Sequence, residues 1–264
     1  MKRYIALPSW TLAVIIALGA VVLVSPSHAQ IAVSANDNKV INDNGVVKVV
    51  PNPPPDTVSV IDLKASPPRV LAEVQAPVSV AGPPLSVAVT PDETLALVTA
   101  SNKVDPSDPT KQTRDNRVTV IDLKATPPKV ITTLAAGKGA AGISINRQGT
   151  LALVSNLDDG TVSIFTIQGK TVAPAGTVEV GGAKAGGGMV AIAPDGKTAL
   201  VSRNADNKVS VLSIDGSKVE YTKRDMTPGV RPIVLDIASN GAFAVVGSLA
   251  GGPTGIATAS TSST

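Results

Sequence analysis

The sequence predicts an all-β protein whose four-stranded antiparallel sheets are arranged as the blades of a β-propeller. Two apolar, β-branched runs separated by a turn, followed by a third alternating run, recur along the chain. The turn glycines Gly149, Gly196 and Gly241 are spaced by 47 and 45 residues, which is a typical period for propeller repeats. Helical periodicity is absent, so we expect strands alone.

Residues 1–29 have the three parts of a secretory signal peptide. Lys2 and Arg3 precede the apolar run Thr11–Val24, and a small-residue cleavage site ends at Ala29. We therefore expect secretion across the inner membrane, cleavage after Ala29 and a periplasmic or extracellular protein. The alternative is a retained membrane anchor, for which the apolar segment is barely long enough.

The composition excludes several kinds of chemistry. Cleavage would remove the only His, His28, and the only Trp, Trp10, and the sequence contains no Cys. Such a chain lacks the common Ser-His-Asp and Cys-His nucleophiles and serves zinc, haem or iron–sulfur groups poorly. The formal net charge of +3 includes two leader residues, so the mature chain is nearly neutral and we expect no nucleic-acid partner.

The repeats continue in order after the signal segment, and the first unit begins at its second strand. The expected units are a partial blade at 31–75, blades at about 84–135, 141–180 and 188–224, and a partial blade at 231–248. In the third unit we expect strands at Ile143–Asn146, Leu151–Ser155, Val162–Ile167 and Thr171–Val180. Residues 250–264 are small and lack a strand pattern, so we expect a disordered tail.

Gly137–Gly142 matches the G-x-G-x-x-G pattern of dinucleotide-binding folds. That function requires a helix directly after the glycines, whereas here two predicted strands follow. We therefore interpret this segment as a joint between blades.

The repeat V-A-[IV]-[TA]-P-D-x-x-x-A-L-V-[ST], followed by V-[ST]-V-[IL]-x-[IL], resembles the YVTN-type propeller repeats of bacterial surface-layer-like and lactonase-like proteins. The resemblance covers nearly the whole chain after residue 30 and implies about seven blades. It leads to the hypothesis that this chain is a C-terminally truncated or frameshifted form of a longer propeller. The alternatives are four blades, with Pro232–Ile237 completing the first sheet, and self-association through open sheet edges.

Acidic loops occupy equivalent positions between the second and third strands of several units. Loops at one position in each blade emerge on one face, where they could gather oxygen ligands for Ca²⁺, which the resemblance associates with some lactonase-like propellers. The candidate ligands are Asp37, Asp158, Asp159 and Asp206. The alternative is that Asn and Asp are ordinary loop residues, and apart from Ca²⁺ we expect no cofactor.

The insertion Lys103–Arg117 lengthens the same loop in one unit. A long loop on a rigid scaffold is a common place for binding specificity; the alternative is a solvated, mobile excursion. The candidate ligand-binding residues on this face are Asp105, Asp108, Lys111, Arg114, Asp115, Asn156, Asp158, Asp159, Arg203, Asn204 and Asp206. We assign no catalytic residue.

These observations favour a non-enzymatic binding or scaffold module for a protein or small ligand. One alternative is a lactonase-like hydrolase that uses Asp- and Asn-bound Ca²⁺. Another is a truncated propeller without an independent function.

Overall fold

The computed structural model describes residues 30–44, 46–79 and 86–249, together with the backbone of 257–260. The predicted signal peptide lies outside the described residues. Every regular element is a strand, and no described segment forms a helix that could span a membrane.

The first sheet starts at its second strand, as predicted. Sheet 1 contains β1 (Ile31–Asn36), β4 (Thr57–Asp62) and β5 (Arg69–Gln75), and β2 (Val40–Asp43) and β3 (Val46–Val49) form a separate hairpin between β1 and β4. The order β1-β4-β5 leaves β1 at the edge of the sheet. The prediction of four blades, in which Pro232–Ile237 completes sheet 1, is therefore wrong.

The next three sheets each have four antiparallel strands in chain order. Sheet 2 contains β6 (Val87–Val89), β7 (Leu95–Asp105), β8 (Asp108–Asp122) and β9 (Lys129–Ala135). Sheet 3 contains β10 (Ala140–Ile145), β11 (Leu151–Asn156), β12 (Thr161–Gln168) and β13 (Thr171–Glu179). Sheet 4 contains β14 (Gly187–Ile192), β15 (Thr198–Arg203), β16 (Lys208–Asp215) and β17 (Lys218–Met226). The predicted fold class is confirmed.

The last sheet differs from prediction at its end. Sheet 5 contains β18 (Pro232–Ile237), β19 (Phe243–Ser248) and β20 (Ala257–Ser260). We expected no strand after residue 249, yet β20 pairs antiparallel with β19. The apolar pattern could not reveal it, because pairing at a sheet edge uses backbone groups that small residues also supply.

The second strand of each sheet carries a short apolar run whose side chains alternate between two junctions. In β11 this run is Leu151–Val154. Leu151 and Leu153 pack against sheet 4, whereas Ala152 and Val154 pack against sheet 2. Because successive side chains point to opposite faces of a strand, such a run places its sheet between two neighbours. Apolar clusters fill the four junctions between consecutive sheets, and none within the described residues joins sheet 5 to sheet 1.

Tight turns connect the first and second strands at one end of the sheets, which we call the turn face. Gly149, Gly196 and Gly241 have φ angles of 70°, 68° and 72° there, a conformation that glycine adopts without steric cost. A side chain at Gly149 would touch Pro91 in the turn of the preceding sheet. The turns of neighbouring sheets therefore lie side by side.

Candidate functional site

The opposite end, which we call the hairpin face, holds the loops between second and third strands and the joints between sheets. Backbone hydrogen bonds tie these segments together across the junctions. Asp158 N donates to Lys138 O at 3.1 Å, and Asn204 N donates to Gly186 O at 3.1 Å. The segment Gly137–Gly142 forms the joint between β9 and β10 and leads into a strand, as predicted. The acidic loops thus lie on a single face.

The insertion Lys103–Arg117 is neither a long loop nor an irregular excursion, and both predictions for it are wrong. β7 and β8 continue past the sheet as a hairpin that turns between Asp105 and Asp108. Both prolines of the insertion lie at or next to this turn, Pro106 inside it and Pro109 one residue into β8, where the ladder loses little from their missing N–H groups.

The carboxylates of this turn serve the turn itself. Asp105 accepts hydrogen bonds from the backbone N and Oγ of Ser107, at 2.8 and 2.6 Å, which lower the pKa of Asp105. Lys111 Nζ lies 2.8 Å from Asp108 Oδ2 and, with Thr110, lowers the pKa of Asp108. Both side chains therefore stay ionised at neutral pH.

Arg114 connects this hairpin to the acidic loop of sheet 3. Its Nε lies 2.9 Å from Asp158 Oδ1, and its Nη1 donates to Asn102 Oδ1 at 2.8 Å. Lys138 Nζ is 3.9 Å from the other oxygen of Asp158. One carboxylate thus lies between two cations, and the structure brings these predicted residues together as an ion-pair cluster.

Asp115 and Asp159 have local partners. Asp115 is only 4% exposed and receives two hydrogen bonds from Arg117 Nε, at 3.0 and 2.8 Å. Asp159 Oδ2 accepts a hydrogen bond from Lys138 N at 2.7 Å. Both carboxylates hold the backbone or side chains around them.

Asn156 ends the second strand of sheet 3 and locks it to the third. Its Nδ2 donates to Thr161 Oγ1 and Ser163 Oγ, both at 2.9 Å, and its Oδ1 accepts from Gly137 N at 3.1 Å. Asn36 makes the equivalent pair of bonds in sheet 1. The fully buried Asn156 is therefore a structural latch.

Arg203 takes the place of Asn156 in sheet 4. Its side chain is 7% exposed and lies between Asp206 and Asp225. The Nη1 atom also contacts Ser210 Oγ at 3.2 Å. A buried guanidinium is stable only when it is paired and hydrogen-bonded in this way, so Arg203 and Asp206 are structural as well.

Asp225 completes the network around this guanidinium. Burial alone would raise the pKa of Asp225, but hydrogen bonds from Tyr221, Ser210 and Lys208, and the charge of Arg203, lower it below its ordinary value. Tyr221 Oη donates to Asp225 Oδ1 at 2.6 Å. The carboxylate stays ionised and balances the buried cation.

The four candidate Ca²⁺ ligands do not converge. Asp37 pairs with Lys39, Asp158 with Arg114 and Lys138, and Asp206 with Arg203, while Asp159 caps a backbone N. Within the described ranges, no group of three or more Asp, Glu, His or Cys side chains could hold a metal ion. The described residues do not fit a shared Ca²⁺ site, which stays a prediction from the resemblance.

Sequence reasoning missed the buried cation of sheet 1. Lys39 Nζ lies 2.8 Å from Asp37 Oδ1 and 2.6 Å from Asp56 Oδ2, and it donates to Val78 O at 2.5 Å. The order Asn-Asp-Asn-Lys is typical of a solvated loop, so no local signal revealed this contact. Asp56 is distant in sequence, and only the fold brings it to Lys39.

A row of hydroxyls at the junctions was also missed. Thr99 Oγ1 donates to Ala141 O in the next sheet, and Ser202 Oγ donates to Ile233 O at 2.9 Å. Ser155 holds the equivalent position in sheet 3, but its Oγ is buried without a hydrogen-bond partner. The recurring Ser or Thr two residues after the apolar run was the available signal.

The largest groove lies on the turn face, where we predicted no site. It has a volume of about 510 Å³ between sheets 3 and 4, and its lining includes Gln148, Gln168 and Asp195. These are exposed turn residues, whose amides and carboxylates are ordinary in such loops.

No protein-family model matches the sequence, and no curated protein matches it. Three solved structures are similar to the described fold. A functionally unknown protein from Desulfotomaculum acetoxidans is 20% identical with a TM-score of 0.60, over 81% of this chain and 62% of that chain. The periplasmic gluconolactonase of Pseudomonas aeruginosa is 16% identical with a TM-score of 0.56, over 79% and 61%. The Cps50 (Swd1) β-propeller domain of Myceliophteria thermophila is 12% identical with a TM-score of 0.54, over 74% and 61%.

The fold is a β-propeller. The chain spans about three fifths of the length of each of these three proteins. Their low identity establishes the architecture alone, because one fold hosts many functions. The resemblance to YVTN-type repeats and the hypothesis of truncation stay predictions.

Proposed function

We propose that the protein is an exported, non-enzymatic binding module that takes a protein partner on its hairpin face. The observation that carries this proposal is a pair of hairpins projecting from neighbouring sheets. The hairpin β2–β3 and the extension of β7–β8 lie side by side, with β3 packed against β8. Together they form a ridge above the face.

The ridge exposes aliphatic side chains beside charges. Ile41, Val46 and Val47 are 54%, 59% and 60% exposed, and Lys48 pairs with Asp43 next to them at 2.5 Å. Apolar groups clustered on a surface and surrounded by polar ones are typical of protein interaction sites. The matching partner surface is an apolar strip bordered by polar groups.

A comparative capture experiment tests this proposal. The wild type, a ridge variant (I41S/V46S/V47S) and a control variant (V70S/L71S) are immobilised and exposed to periplasmic extract. Val70 and Leu71 are exposed aliphatic residues at 55% and 43% on another strand. We expect a protein that the wild type and control retain and the ridge variant loses, confirmed by calorimetry with the purified partner. Equal retention by all three variants would contradict the proposal.

The second candidate is a lactone hydrolase, which the similarity to a gluconolactonase favours. Hydrolysis of D-glucono-1,5-lactone, measured with and without millimolar Ca²⁺, distinguishes the candidates. Calcium-dependent turnover that D158N and D206N abolish, while D43N retains it, would establish the hydrolase and reject the binding module. We expect only the uncatalysed rate, because the candidate carboxylates are paired with cations of the chain.

A further inference from the structure

The outer face of sheet 5 is apolar, and no apolar cluster of described residues covers it. Phe243 and Val245 are 44% and 39% exposed, whereas the alternate residues Ala244 and Val246 are 0% and 4% exposed. Ala244 and Val246 pack against sheet 4. One face of β19 is thus buried, and the other lacks a neighbour.

The strand register indicates that this face is built for burial. In β7 and β11 the first and third side chains of the apolar run pack against the following sheet. All of these side chains are at most 2% exposed. Phe243 and Val245 hold the same two positions in β19, so they point to the place of a following sheet. A continuous apolar run is typical of strands that are buried on both faces.

None of the undescribed stretches can supply that sheet. A complete sheet occupies Ala140–Glu179, whereas 80–85, 250–256 and 261–264 are far shorter. Residues 1–29 form the predicted signal peptide. The remaining occupants are a second molecule of this chain or a different protein.

Sheet 1 of a second copy is a poor complement. Its free face carries Ser34, Ser59 and Glu73, which are paired across the strands, and Ser59 Oγ donates to Glu73 Oε1 at 2.6 Å. This polar face would leave Phe243 and Val245 against hydroxyls and a carboxylate. A ring of two copies would also exceed the four to eight blades of ordinary propellers, and an unclosed head-to-tail contact extends without end.

We propose that two copies of the chain associate through the outer face of sheet 5, with Phe243 and Val245 of one copy packed on the same residues of the other. The contact is isologous, so it closes with two copies. It matches apolar surface with apolar surface and leaves the hairpin face of each copy open. The inference is independent of the proposed function.

Solution mass and cross-linking test this proposal. We expect the purified protein to have twice the monomer mass in analytical ultracentrifugation at micromolar concentration. V245D is expected to be monomeric, whereas V130D remains dimeric. Val130 is a matched control because it is 37% exposed and lies on an outer strand of another sheet. A monomeric wild type, or a dimeric V245D, would overturn the proposal.

The cysteine-free sequence permits single-thiol variants, which do not depend on V245D folding correctly. We expect V245C to form a covalent dimer on mild oxidation and V130C to stay monomeric. Cross-linking of V245C to S34C, without V245C homodimers, would show a head-to-tail contact and overturn the two-fold arrangement. Failure of V245C to cross-link to either would reject a second copy as the occupant.

Discussion

Sheets 3 and 5 carry the same apolar run in their second strands, but its surroundings differ. In sheet 3 the run Leu151–Val154 is buried on both faces, whereas in sheet 5 Phe243 and Val245 are exposed. Side-chain alternation is identical in both strands, so the difference comes from the neighbouring sheets. An apolar pattern therefore specifies which faces should be buried, and the number of neighbours decides which faces are.

The largest expected effect is at the buried run. L153A should reduce the free energy of unfolding by about 3 kcal/mol, because it opens a cavity between sheets 3 and 4. V245A should cost less than about 1 kcal/mol in dilute solution, since that side chain is already partly in water. Urea unfolding measures both, and equal losses would mean that the two faces have the same surroundings.

The buried guanidinium of sheet 4 tests the support on which sheet 5 packs. R203M should cost about 3 kcal/mol, because it leaves Asp206 and Asp225 in a poorly solvated site. R114M is the matched control, with an expected loss below about 1 kcal/mol, since its ion pair with Asp158 is partly exposed. Urea unfolding at neutral pH compares them, and similar losses would show that burial of Arg203 has no energetic consequence.

The junction hydroxyls sharpen the comparison further. S202A should cost about 1 kcal/mol, because Ile233 O in sheet 5 and Met189 N lose their partner. S155A should be neutral or stabilising, since its Oγ has no hydrogen-bond partner. Thermal unfolding of both variants measures the difference. A clear loss in S155A would indicate an unrecognised bond at the junction of sheets 3 and 4.

The smallest expected effect is pH-dependent. Lys170 Nζ lies 2.6 Å from Asp122 Oδ2 across the junction of sheets 2 and 3 and lowers the pKa of Asp122. A lowered carboxyl pKa contributes stability above the unfolded value near pH ~3.9, and that stability is lost as pH falls through the folded value. K170M should therefore reduce stability at pH 7 by about 1 kcal/mol or less and have little effect near pH 2. Unfolding measured across this range tests it, and a loss equal at both ends would contradict the ion pair.

The sequence predicted the strands better than the site. The turn glycines and alternating runs located sheet 3 to within a few residues, because both signals are local. The hairpin at Lys103–Arg117 was missed, since polar residues with two prolines lack an apolar strand pattern. Asn156 and Arg203 were predicted as ligand-binding residues, but their structural partners lie on other strands, which local patterns do not reveal.

The sequence by itself determined the repeat, the strand order within each sheet and the turns, because period-two alternation and glycine placement act over a few residues. Only the tertiary structure decided that the predicted acidic side chains pair with cations or cap turns, and that sheet 5 keeps a bare apolar face. Ion pairs such as Arg114–Asp158 and the burial of Phe243 depend on which sheets become neighbours. Those contacts join residues far apart in the chain, so no local pattern encodes them.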